Sequence, residues 1–479
     1  MLLNAAAGDY GSISSSSSSA AHAHTPPTAP TAPSSTPAGA TTLQTGLNMM
    51  NELEGAGLLG LPYAAKLCGW VSLGMMGVVG VVAGFTGYLL AMCMYEGRSG
   101  GRSQPAPRVS DGRRVRDSYA AVGEACFGAG GKLLVKTVQV SNLVAVGVVY
   151  LVLIGASLAT LSPLPLPASI AAHLPQADHR LWTAIATAAA LPTVHIGGYK
   201  KLAALSALGL LCLTAVIVVG VAAGAAQLAK NGTEPVPPAT TLELQHLPAA
   251  ISIYVFAFSA HGIFPDLEAS MAKPRQFPAV VSVVFLANMA LKLLFTLVCF
   301  LAYGQATQQV VSGNYPDAAR KAVGGLIVAN TLLSFPLPLV PVFRAFDCAM
   351  AQPAAAAAAA APNAAKAAAA AAAAAQPHGT PPPAAGSPAG KALKRSLIVL
   401  FCGGCAFAIP SFAVAMGFMG SITLSFLTFI FPATFYLKLH GGGATVLMRA
   451  ACVFVICFGV LGGVAGIASN IAIAGNFSL

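Results

Sequence analysis

The chain has 479 residues, of which 56% are hydrophobic and only 8% charged, with a formal net charge of +11 and a mean hydropathy of +0.74. A soluble domain carries about 25% charged residues, so this composition excludes a water-soluble globule and points to a bundle embedded in a lipid bilayer. The basic excess lies in short clusters between apolar runs, without interleaved aromatic residues, so it reads as a topology signal and no nucleic-acid partner is expected.

Residues 1–44 contain "SISSSSSSAAHAHTPPTAPTAPSSTPAGA" and have neither a basic leader nor an apolar core, which predicts a disordered cytosolic tail and not a signal peptide. Apolar runs then follow near 46–67, 70–95, 132–161, 181–198, 202–229, 248–268, 278–304, 319–345, 396–416, 419–437 and 445–472. Their lengths suit hydrocarbon about 30 Å thick and predict an all-α integral membrane protein of about 11 transmembrane helices. One transmembrane domain is expected over 45–350 and 395–479, interrupted at 351–394 by an Ala/Pro-rich cytosolic linker. Alanine favours helix but buries little, and Pro362, Asn363 and Lys366 break the tract, so it is not read as a twelfth span.

If the N-terminus is cytosolic, then Arg98, Arg102, Arg108, Arg113, Arg114, Arg116, Lys200, Lys201, Lys273, Arg275, Lys391, Lys394, Arg395, Lys438 and Arg449 all fall on that side. The positive-inside rule favours this orientation. It also places the sequon Asn231-Gly232-Thr233 on the opposite side, making Asn231 a glycosylation candidate. The ten cysteines lie mostly within apolar runs, and Cys402 and Cys405 form a lone C-x-x-C, so packing is the expected role. No metal and no cofactor is expected.

"EGAGLLGLPY" at 54–63 matches the glycine spacing of a dinucleotide-binding turn, but no strand precedes it and no ribose-binding acid follows. Within a membrane span these glycines have another use. Gly55, Ala56 and Gly57 let the first helix unwind, and Pro62 removes a backbone donor. Five spans later Ser259, Ala260, His261 and Gly262 precede Pro265 in the same way. Two interrupted segments so placed indicate a 5+5 inverted repeat with discontinuous first and sixth helices. Half-helix N-termini there suit a carboxylate and freed carbonyls suit a cation, so a zwitterion is the expected ligand.

Ionisable groups at membrane depth are functional candidates because burying them is costly. Glu52 and Glu54 precede the first break, His261 sits in the second, and Lys292 lies about 14 residues, or about 21 Å, into its span. These four are candidates for proton coupling, with a structural histidine and a structurally paired lysine as alternatives. Asp266 and Glu268 follow the second break. His261 and Asp266 also spell the H-x-x-x-x-D of some acyltransferases, but Pro265 intervenes within a membrane span, and no enzyme is expected.

"NELEGAGLLGLPYAAKLCGW" resembles the opening membrane segment of the amino acid/auxin permease family, and the resemblance continues through "MCMYEG", "RVRDSYAAVGEACFG", "YVFAFSAHGIFPDLEASMAKPRQF", "LLSFPLPLVPV" and "GFMGSITLSFLTFIFPATFYLKL". "VRDSY" and "DLEASM" are most similar to its vesicular inhibitory amino acid and vacuolar branches. The resemblance implies eleven inverted-repeat helices, small neutral amino acids as substrate, and coupling to protons, often as an exchanger at an acidic organelle. By motif position it implies that Asn51, Gly55, Gly57, Ser259 and Gly262 contact the substrate, and the adjoining Ala56 and Ala260 complete the expected site. Glu52 and Glu54 depart from it, standing where relatives are often neutral. An amino acid sensor or an ion channel on the same scaffold is the alternative; a missing G-x-x-x-x-G-K-[ST] motif leaves nucleotide-driven pumping without support.

Overall fold

The computed structural model describes residues 40–96, 114–161, 177–195, 199–231, 244–343, 345–347, 388–409 and 411–475. Most of the predicted tail, the Ala/Pro tract at 351–387, the arginines between 98 and 113, and Thr233 lie outside the described residues.

Among the described residues the chain is helical, with isolated bridges only at Ala40–Met271 and Tyr95–Arg114. In order, α1 is Thr42–Glu54, a 3₁₀ turn covers Ala56–Gly60, and α2 is Leu61–Cys93. Next come α3 (Tyr119–Leu161), α4 (Ala177–Ala190), α5 (Tyr199–Asn231), α6 (Leu247–Ala257), a 3₁₀ turn His261–Ile263, and α7 (Phe264–Ala269). Then α8 (Phe277–Tyr303), α9 (Asp317–Ser334), α10 (Pro388–Ala408) and α11 (Phe412–Met419) lead into a π-helix at Gly420–Ile430. The chain closes with α12 (Phe431–His440) and α13 (Val446–Gly475).

Local chemistry sets these boundaries. Thr41 and Gln44 form a reciprocal capping box that starts α1, a few residues before the predicted span. Proline occupies the first turn of α2, α6, α7 and α8, where a missing backbone donor costs little.

Eight described helical stretches are long and apolar enough to cross a membrane. The sequence reading gives eleven, and the difference has physical causes. The stretch Gly57–Cys93 holds two predicted spans joined at Gly69, whose φ of 59° and ψ of −137° turn the chain without a loop. The fourth predicted span is divided between the 14-residue α4 and a short 3₁₀ turn, and α10 opens with Lys391, Lys394 and Arg395.

The two broken segments run in opposite directions. Ala40 N–H donates to the Ser270 carbonyl at 2.8 Å and Ala272 N–H to the Ala40 carbonyl at 2.9 Å, so the start of α1 lies beside the end of α7. α1 and α6 therefore approach mid-depth from opposite ends, each directing its C-terminus toward the centre. Around this crossing pack Leu53, Leu58, Tyr254, Phe258 and Phe295, all buried.

Gly69 occupies backbone space open essentially to glycine alone, where an L side chain costs roughly 1–3 kcal/mol. Gly69→Ala is expected to lower the thermal unfolding midpoint in detergent, read by intrinsic fluorescence. Gly74→Ala, in regular helix with open space around an added Cβ, is the control and is expected not to lower the midpoint.

Candidate functional site

The first helix breaks at Gly55, with φ −37° and ψ −155°, before the 3₁₀ turn that feeds α2. The sixth breaks across Phe258 and Ala260, whose backbones are non-helical, before the turn that feeds α7. The breaks touch. A Cβ built on Gly57 would stand 3.1 Å from the Phe256 ring and 3.3 Å from the Ala257 Cα, so glycine permits the close approach of one unwound segment to the other. Gly262, by contrast, borders open space, with no atom within 4 Å of an added Cβ.

Behind the breaks lies Lys292 of α8, fully buried. Its ammonium donates to the Leu53 carbonyl at 2.6 Å and to the Ala257 carbonyl, and stands 5.0 Å from the Phe258 ring centroid. Those carbonyls close the last turns of α1 and α6, where helix dipoles leave negative charge and backbone acceptors without partners. One turn earlier on α8, Asn288 donates to Glu54 Oε1 at 2.7 Å, and Glu54 lies within electrostatic range of Lys292. Glu54 Oε2 and Asn288 Oδ1 are buried without a hydrogen-bond partner among the described residues.

The opposite wall comes from α3 and the π-helix. Gln139 donates to the Gly262 carbonyl at 3.3 Å, Thr423 donates to Asn142 Oδ1 at 3.0 Å, and Ser259 shares a 2.6 Å hydrogen bond with Thr428. The sequence reading contains Ser259 but not Gln139, Asn142, Asn288, Thr423 or Thr428. Asn288 and Lys292 have a readable signal, since polar residues four apart in an apolar run share a helix face.

The remaining candidates are placed as follows. Asn51 and Ala260 are half-buried beside the breaks, the Ala56 backbone opens the first 3₁₀ turn, and Glu52 is exposed. His261 is fully buried, bonded through Nε2 to the Ala83 carbonyl and Thr86 Oγ1, both at 3.1 Å, and stacked on Phe264. Its ring thus packs against α2. Asn231 ends α5 and donates to the Ala302 carbonyl at 2.9 Å, a bond that a glycan on its amide would have to replace.

The two ends of the bundle differ. At one, a cavity of about 500 Å³ is lined by Tyr63, Lys66, Thr160, His179, Gln308 and Phe412 among others. Phe412 and Met416 close over Gly60 between this cavity and the first break, which makes Gly60 a packing position. At the other end, Arg114 pairs with Glu268 at 2.6 Å and donates to the Pro265 carbonyl at 3.3 Å, while Tyr95 hydrogen-bonds the same glutamate. The Arg114–Glu268 contact is ionic, without hydrogen-bond alignment. Arg116 fastens the Cys93 and Tyr95 carbonyls at 2.9 and 3.1 Å. This end is latched.

A family model described as transmembrane amino acid transporter protein matches residues 38–472. The vesicular inhibitory amino acid transporter of Xenopus tropicalis is 30% identical over 404 residues, covering 83% of this chain and 70% of that protein. Its Homo sapiens counterpart is 29% identical over 406 residues, covering 83% and 69%. The amino acid transporter AVT1C of Arabidopsis thaliana is 27% identical over 429 residues, covering 88% and 68%. Among solved structures, MhsT in complex with L-phenylalanine superposes with a TM-score of 0.52 at 15% identity, covering 90% of this chain and 99% of that one. At that identity the shared property is the fold, an inverted repeat with discontinuous first and sixth helices.

The latch generates a direct test. Cys93 is fully buried at the Arg114 end. Arg114→Ala is expected to speed maleimide labelling of Cys93 at least about threefold, measured as the increment that disappears in a Cys93→Ser background; a buried charge that loses its partner no longer holds the closed state.

Proposed function

The chain belongs to the transmembrane amino acid transporter family, a family of multi-pass membrane transporters and not of enzymes, and on that premise we propose a proton-coupled exchanger of small neutral amino acids. The membrane proposed is that of a vesicle, from the relatives named as vesicular, or of a vacuole, as the resemblance of "VRDSY" and "DLEASM" implies, with the N-terminus cytosolic by the distribution of basic loops. The observation that carries the reading is the meeting of the two breaks at Gly57, Phe256 and Ala257, with Lys292 tying their C-terminal ends.

In this reading Gly55, Ala56, Gly57, Ser259, Ala260 and Gly262 surround the backbone of the amino acid, with Asn51 at the edge. The backbone N–H groups that open the turns at Ala56 and His261 receive the carboxylate. Glu54 takes up and releases the coupled proton: its Oε2 has no hydrogen-bond partner among the described residues, and its charge balances that of Lys292. The cavity at the Lys66 end admits substrate while the Arg114 latch closes the other end, and alternation between the two is the transport cycle.

Purified protein in liposomes, given an imposed pH gradient of either polarity and a panel of labelled amino acids, tests the reading. Gradient-dependent uptake of small neutral amino acids is expected. Binding without uptake would make the chain a sensor, and unsaturable flux a channel. Gly57→Val is expected to reduce uptake more than about tenfold while the protein stays monodisperse, because its methyl groups meet Phe256 and Ala257. Glu54→Gln is expected to keep amino acid counterflow and to lose stimulation by the pH gradient.

A further inference from the structure

Glu52 and Glu54 are two residues apart in α1, which turns their side chains about 160° from one another. Glu54 is buried against Asn288, whereas Glu52 is exposed and has no hydrogen bond or ion pair among the described residues. Glu52 does not face the apolar exterior. The exposed residues Leu43 and Leu47 mark that stripe of α1, and Glu52 lies about 180° and 140° around the helix from them. Its charge reaches Tyr150 of α3. Tyr150 shares a helix face with Gln139 and Asn142, the residues that bond the second break and the π-helix. Glu52 therefore projects into the space between the breaks and α3.

A carboxylate at this depth is costly unless a cation meets it. None pairs with it among the described residues: the ammonium of Lys292 is committed to Leu53 and Ala257 on the other side of the breaks. That commitment also removes the two helix-end carbonyls that would otherwise receive a ligand's amine. A zwitterion whose carboxylate lies on the turn N-termini still needs an acceptor for its ammonium, and Glu52 is the free acceptor facing the same space.

We propose that Glu52 is a specificity-determining residue that holds the substrate's protonated amine. This rests on the reading that the breaks bind an amino acid. The carboxylate accepts a charge-assisted hydrogen bond from the ammonium, with Tyr150 closing over it from α3. A des-amino acid of the same carbon skeleton leaves Glu52 unpaired and is rejected.

The test uses the full chain in liposomes with labelled glycine, alanine and leucine, and with acetate, propionate and 4-methylpentanoate as des-amino competitors. The wild type is expected to take up at least one amino acid without competition from its des-amino partner. Glu52→Gln is expected to raise KM about tenfold or more with Vmax held within about threefold, the size of effect for losing a charged hydrogen bond. Glu52→Asp, which keeps the charge but withdraws it by one methylene, should fall between. An unchanged KM in Glu52→Gln, or a loss of Vmax at constant KM, overturns the assignment. Should the Gln variant fail to fold, Glu52→Asp decides by the same KM criterion. No uptake and no binding by the wild type would overturn the transport reading and this inference with it, whereas uptake with KM unaltered by substitution overturns the Glu52 assignment alone.

Discussion

One buried ammonium organises the centre of this molecule. α1 and α6 enter from opposite ends and stop at mid-depth, where each leaves unpaired carbonyls in a region without bulk water. An unsatisfied buried acceptor costs about 1–3 kcal/mol, and a buried ammonium without a partner costs several. Lys292 joins these liabilities so that each offsets the other, through Leu53 and Ala257 at once. Neither break is tenable alone. The first needs α8 to supply the ammonium, and the ammonium needs both helix ends to be desolvated.

The same constraint determines what moves. Lys292 and Asn288 bind α8 to α1 and α6 at the crossing, so these three elements form a unit near mid-depth. The contacts that close the Arg114 end belong to a different set, in which the half-buried Arg114 and Arg116 tie the buried Glu268 of α7 to the end of α2. A fully desolvated crosslink is expensive to break, while an ion pair whose cation keeps some contact with water, as Arg114 does, costs less. In the proposed cycle, alternation would fall on the ends and leave the crossing intact, as a site that must face both sides requires.

Much of this was legible in the sequence. Hydropathy revealed the helices because lipid demands long apolar runs, and the breaks showed because glycine and proline are conspicuous inside such runs. The resemblance of "NELEGAGLLGLPYAA" and "FSAHGIFPDLEASM" to a transporter family agreed with both. The turn at Gly69 was not foreseen as a loopless joint, since nothing in composition separates a positive φ from close packing. The wall opposite the breaks was hidden for a related reason. Gln139, Asn142, Thr423 and Thr428 are isolated polar residues in apolar helices, and only packing reveals that they converge. A structurally paired Lys292 was one of the two expectations; that it takes two carbonyls from two different helices is a tertiary fact.

Two glutamates in one turn of α1 show how far position alone divides identical chemistry. Glu54 points to α8, where Asn288 holds it and Lys292 balances its charge, so its protonation is felt by the crosslink that joins the breaks. Glu52 points the other way, to the space bordered by α3, where no described residue neutralises it. A proton on Glu54 alters the internal charge balance, and a cation at Glu52 must come from outside. With about half a turn of helix between them, the charge proposed to couple and the charge proposed to select lie on opposite sides of the same break, and neither proposed duty requires the other group to move.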